Sequence, residues 1–210
     1  MVIPTQRDFA QMNELAWAIL ESGFFNYNST YDWEKDWADY FSTQYETHLE
    51  TGCTKAVFVG FDVDWVIKVN LPDNKGWNCP DYCYDEAMNY QLAIDAGVED
   101  AFAACYFLDR IEGYDFYIEE LVCVDEDTTD SRCYDYASSL CEEEEDVDVD
   151  EVYYDLCDEE RVCAVFGAME IKRKLLEFIV NYGINDLHAG NFGYRNGDLS
   201  EPVIIDYSGY

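Results

Sequence analysis

The chain has 210 residues, 49% apolar and 17% aromatic, enough for one ordinary domain or two small lobes sharing a site, and rich enough to bury a core. Forty-six acidic residues face twelve basic ones, a formal net charge of −34. Such a surface excludes nucleic acid and anionic membrane as partners, because both need clustered Lys and Arg; it suits basic partners or divalent cations, and is equally what plain solubility or life in high salt produces.

The N-terminal MVIPTQRDFA has no basic start followed by an apolar core, so no secretory signal is expected there. The nine cysteines are an odd number and contain no CxxC pair; Cys79 and Cys83 flank only PDY, far from either histidine. The expectation is a reducing cytoplasm, with thiols packed as small hydrophobes and no zinc site. No apolar run approaches the roughly 20 residues that span a bilayer.

Residues 5–22 predict a helix capped by Thr5, with Asp8 three residues on and Phe9, Met12, Ala16 and Ile19 on one face; Gly23 ends it. A second helix is predicted over Asp32–Glu46, with a stripe of Trp33, Trp37, Tyr40 and Phe41. Ala56–Gly60 and Trp65–Asn70 predict two strands around FDVD, Asp81–Ala96 a helix closed by Gly97, and Ala101–Leu108 and Asp115–Val124 further strands around the turn at Ile111–Gly113. The order strand, strand, helix, strand, strand implies a small antiparallel sheet carrying one helix.

Residues 125–160 hold seventeen acidic residues among thirty-six positions, with Arg132 the one basic residue. A block of that charge predicts a solvated loop or a frayed helix, with Tyr134, Tyr136, Tyr153, Tyr154 and Leu156 available to dock parts of it. Arg161–Tyr182 predicts one strong helix ended by Gly183, its face traced by Val162, Val165, Met169, Lys172, Leu176 and Ile179 and widened by Leu175, Phe178 and Val180. A strand at Phe192–Arg195, an Asn196-Gly197 turn and a strand at Pro202–Asp206 follow.

The chemistry concentrates in NDLHAGN and the hairpin after it. Asp186 and Asn191 lie five apart across a glycine-containing loop, and the hairpin returns Asp206 towards them. An Asn carbonyl and an Asp carboxylate are hard oxygen ligands suited to Mg²⁺, and a second Asp off the metal can accept a proton from an attacking hydroxyl. Upstream, Lys68 sits at the centre of the apolar strand WVIKV. Burying an ammonium is costly, so it needs a carboxylate or phosphate; Glu86 on the next helix is the expected partner, ahead of Asp85, Glu119 or Glu120.

Taken in order, these segments resemble the protein-kinase-like superfamily. TGCTKAVF (51–58) resembles a reduced phosphate-covering loop, WVIKV (65–69) the lysine strand, YIEELV (117–122) the strand entering a nucleotide hinge, and IIDYSG (204–209) the metal-binding segment. DLHAGN (186–191) is similar to the catalytic loops of aminoglycoside phosphotransferases and choline-kinase-like enzymes. The resemblance implies an α+β, minimal two-lobed kinase-like fold. Its parts would be a helical extension (1–50), an N-lobe with a small antiparallel sheet (51–124), the acidic insert (125–160) and a truncated helical C-lobe ending at Tyr210 (161–210), as in short kinase-like proteins of bacterial viruses.

The resemblance also implies roles. Lys68 would hold the ATP phosphates with Glu86 fixing Lys68, Asp186 would be the catalytic base, and Asn191 and Asp206 would bind Mg²⁺. Gly52, Thr54 and Lys55 would approach phosphates, and Glu119 and Leu121 would meet adenine through backbone groups. His188 would shape the loop. Two departures stand out: Gly52 is the one glycine of the phosphate loop, and no Arg precedes Asp186. The implied function is ATP- and Mg²⁺-dependent transfer to a hydroxyl of an unidentified acceptor; the acidic surface would suit a cationic one. The alternative is a kinase-fold binding protein whose acidic surface captures a basic protein.

Overall fold

The computed structural model describes residues 2–23, 25, 48–51 (backbone only), 55–59, 64–70, 81–141, 147–167 and 171–208. The helix expected over Asp32–Glu46 lies outside them. The described chain is α+β and divides into two compact units, residues 1–90 with 104–121, and residues 91–103 with 122–210.

In the first unit, helix α1 (Gln6–Glu21) starts where its cap predicts. Thr5 Oγ1 accepts the Asp8 N–H at 3.2 Å, and the Asp8 carboxylate accepts the Thr5 N–H at 2.7 Å. Met12, Ala16 and Ile19 form its buried face. The sheet has five antiparallel strands, β1 (His48–Thr51), β2 (Lys55–Val59), β3 (Trp65–Asn70), β4 (Cys105–Ile111) and β5 (Tyr114–Glu120), in the order β1-β2-β3-β5-β4. Helix α2 (Tyr82–Ala96) falls between β3 and β4 in sequence. The β4–β5 hairpin closes through Glu112 (φ 51°) and Gly113 (φ 95°), the two positive φ values that a two-residue hairpin needs.

Two expected strands depart most from their expected bounds. The strand expected at Ala101 begins only at Cys105. Glu99–Ala101 is a 3₁₀ turn, and Phe102–Ala103 pairs with the second unit's own sheet, where the Ala103 N–H donates to Ile204 O at 2.9 Å. The strand expected over Asp115–Val124 splits, because the Leu121 N–H leaves the ladder and donates to Asp64 O at 2.9 Å. Its last residues form β6 (Cys123–Val124) in a separate three-stranded sheet with β7 (Phe192–Tyr194) and β8 (Pro202–Ile204), in the order β6-β7-β8. At Gly193 a Cβ would stand 2.3 Å from Val122 Cγ2, so β7 pairs this closely only as glycine.

The described part of the acidic block is mostly helix rather than loop. Glu126–Cys141 is helix α3 and Val149–Tyr154 is helix α4, and residues 142–146 lie outside the described chain. Three features offset the self-repulsion. Asp125 caps α3 by accepting the Thr128 N–H at 3.0 Å, with Glu126 and Asp127 at the positive end of the helix dipole. Thr129, Cys133 and Ala137, four apart, give it a buried stripe. Arg132, the block's single cation, donates to the Val165 and Leu199 carbonyls at 3.0 and 2.8 Å and lies over the Tyr194 ring. Tyr134–Asp150 and Tyr153–Asp130 hydrogen bonds join α4 to α3.

The single helix expected from Arg161 to Tyr182 is two, α5 (Asp158–Phe166) and α6 (Lys172–Tyr182). Gly167 ends α5 at φ 55°, ψ −128°, a conformation that is essentially glycine's alone. Val162, Val165 and Phe166 are buried on α5, and Leu175, Phe178 and Ile179 on α6, while Val180 is exposed. Among the described residues, no helix is long and apolar enough to cross a membrane.

Candidate functional site

Strand register assembles the first cluster. Lys68 stands opposite Tyr117 and Val57, so its diagonal neighbours on the same face are Glu119 of β5 and Lys55 of β2; Cys105 of β4 stands opposite Glu119. Helix α2 brings Glu86 to the same groups, on a buried stripe of Cys83, Glu86, Tyr90 and Ala93. The result is a chain of alternating charge. Lys55 Nζ lies 2.5 Å from Glu86 Oε1, Lys68 Nζ lies 3.0 Å from Glu86 Oε2, and Lys68 Nζ lies 2.7 Å from Glu119 Oε2. All four residues are buried.

The expected Lys68–Glu86 pair therefore forms, and two further members join it. Glu119, ranked behind Glu86 as a partner, binds Lys68 as well, whereas Glu120 faces the Ala104 N–H at 3.3 Å. Lys55 enters through its ammonium. The backbone of Glu119 is paired within the sheet to β3 and β4, and the Leu121 N–H is held by Asp64. Glu119 contributes its side chain to the cluster. Gly52 and Thr54 lie outside the described residues. Burial pushes the Cys83 and Cys105 thiols well above their ordinary range, with Glu86 and Glu119 respectively the next largest influence, so both stay protonated and unreactive.

The second cluster lies in the second unit. After α6, Gly183 turns the chain in the left-handed region, and the loop 184–188 follows. Asn191 is its hub. The Asn191 side-chain amide donates to Asp186 O at 2.8 Å, and the Asn191 carbonyl accepts the Ile205 N–H at 2.9 Å. Asp186, Asn191 and the residue next to Asp206 are thus tied together by one side-chain and one backbone bond of Asn191. With Nδ2 committed to Asp186, the Asn191 amide presents Oδ1 as its remaining acceptor. Asp186 (φ 60°) and Asp206 (φ 53°) both adopt the left-handed conformation, uncommon outside glycine and kept only where surrounding structure enforces it. His188 Nδ1 accepts the Gly190 N–H at 3.1 Å, a loop-shaping contact.

One participant left no trace in the sequence. Asp158, at the start of α5, accepts the Leu187 N–H through Oδ1 at 2.8 Å, 29 residues away, and so fixes the residue after Asp186. Asp158→Ala is expected to cost about 1–3 kcal/mol by orphaning that part-buried N–H. Asp158→Asn, which keeps an acceptor, should cost much less; denaturant unfolding of both variants measures the difference.

The donor chemistry fits the groups the resemblance implies. Asn191 Oδ1 and the Asp206 carboxylate are hard oxygens for Mg²⁺, and two ammoniums in one buried cluster suit a phosphate chain. No family model, curated protein or solved structure matches the chain.

Proposed function

We propose that the protein is a kinase-like phosphotransferase that uses ATP and Mg²⁺ and transfers to a hydroxyl of a cationic acceptor. The observation that carries this reading is the hub role of Asn191, which ties Asp186 to the strand end bearing Asp206. The buried Lys68–Glu86 pair, within the first unit, also supports it.

The roles follow from the side chains. Lys68 binds phosphate oxygens as a point charge, and Glu86 orients the Lys68 ammonium. The Asp186 carboxylate accepts the acceptor's hydroxyl proton. Asn191 and Asp206 would hold Mg²⁺, which when bound supplies positive charge against the phosphoryl oxygens. The net charge of −34 draws cationic acceptors and disfavours anionic ones. Seven described cysteines are free thiols, in keeping with a reducing cytoplasm.

The test is thermal unfolding with ATP and Mg²⁺ together and with each alone, alongside turnover of labelled ATP. Together they should stabilise the chain by about 2.7 kcal/mol at a hundredfold excess over Kd, with Mg²⁺-dependent turnover. No stabilisation and no turnover would sink the phosphotransferase reading.

A further inference from the structure

Lys68 is shared by two buried carboxylates rather than one. Glu86 also binds Lys55, so Glu119 is the member of the cluster whose described cationic contact is Lys68. The groups facing Glu119 are Lys68 from β3, Glu86 from α2, Lys55 from β2 and Cys105 from β4, whose thiol is protonated. A phosphate arriving at Lys68 brings negative charge to the ammonium that Glu119 needs. A buried carboxylate whose counter-charge is drawn to another anion has one inexpensive response, which is to take up a proton.

Resting on the phosphotransferase reading, we propose that Glu119 is a positioning residue for Lys68 whose protonation releases the ammonium to phosphate, so that nucleotide binding takes up a proton from the buffer at the Glu119 carboxylate. The balance is one proton gained and no other bond made or broken. Glu86 keeps its place, since Lys55 holds its other oxygen at 2.5 Å.

In the unliganded protein the Glu119 carboxyl is pushed up to about 7, chiefly by burial and further by the Glu86 charge, with Lys68 and Lys55 opposing. At pH 8 the group is mostly ionised before binding and has a proton to gain; at pH 5.5 it is already protonated and has none. The coupling is therefore strongest above neutrality.

The experiment is calorimetry of Mg·ATP binding in two buffers of different ionisation heat, at pH 8 and pH 5.5. Wild type should take up a large fraction of one proton at pH 8 and close to none at pH 5.5, and Glu119→Gln should take up none at either. Equal proton numbers in the two chains at pH 8, with binding intact, overturn the coupling and leave the phosphotransferase reading standing. Absence of Mg·ATP binding overturns both. Should Glu119→Gln fail to fold, ¹³C titration of the Glu119 carboxyl in wild type serves instead. Its midpoint should rise when Mg·ATP is added, and an unmoved midpoint overturns the coupling.

Discussion

Asp186→Asn should lower ATP turnover by about 10²–10⁴-fold, the usual contribution of a positioned general base, while leaving the unfolding midpoint nearly unchanged. Asn is the informative replacement because of the backbone. Asp186 sits at φ 60°, and Asn adopts that region more readily than any other residue except glycine. Its carbonyl, which accepts from Asn191, is also retained. What is lost is the carboxylate's ability to take a proton. Asp186→Ala would add backbone strain to the chemical loss and blur the two. Turnover in this variant equal to wild type removes Asp186 from the role of base, and Kd for Mg·ATP, measured in parallel, separates loss of chemistry from loss of binding.

Glu86→Gln should destabilise the protein by about 3–5 kcal/mol, because removing one member of a buried ion pair leaves charge without compensation. For a chain of this length that lowers the melting midpoint by roughly 6–20 °C, at about 2–4 °C per kcal/mol. The effect is large because Glu86, fully buried, is the carboxylate two ammoniums share, at 2.5 and 3.0 Å. An apolar replacement of the whole group makes a useful contrast. Lys55→Met, Lys68→Met and Glu86→Leu together should cost far less than Glu86→Gln alone, since buried ion pairs often contribute little beyond their own desolvation. A triple variant that folds well and binds no Mg·ATP would mean the cluster is kept for its ligand. Thermal melts of the two variants, with and without Mg·ATP, decide it.

Glu119 adds a pH signature to stability that can be read apart from any ligand. Its carboxyl is raised from 4.5 to about 7 in the folded chain, so the folded state holds a proton that the unfolded state has released. That stabilisation is complete below pH 4.5 and is lost as pH rises through 7. The difference between wild type and Glu119→Gln should therefore open over that window in favour of Gln. Its full size is on the order of 3 kcal/mol, one pKa unit being worth about 1.4 kcal/mol.

The legible parts of this molecule were those governed by neighbours in the chain. Thr5 and Asp8 close a capping box across three residues, and Gly183 turns α6 off at positive φ; both follow from short-range chemistry. Lys68 was legible for a different reason: an ammonium at the centre of an apolar strand needs an anion, and the next helix offered one. Gly167 misled because apolar periodicity continued on both sides of it, while the break depended on a backbone conformation that periodicity does not encode. The helices of the acidic block were not legible because the anchoring of Arg132 is remote: its two carbonyl contacts lie on segments far along the chain.

By itself, the sequence determined the α+β texture, the ends of α1 and α2, the close of α6, the Lys68–Glu86 pairing and the grouping of Asp186, Asn191 and Asp206 near one hairpin. These rest on local backbone preference and on the cost of burying a charge, which act over a few residues or admit few partners. Tertiary structure alone decided that Glu119 is a second counter-ion, that Lys55 joins through its ammonium and that Asp158 holds the loop at Leu187. Each depends on which strands lie side by side and in what register, or on where a helix start meets a distant loop. Those placements come from burying many apolar side chains at once, and no short window of sequence carries them.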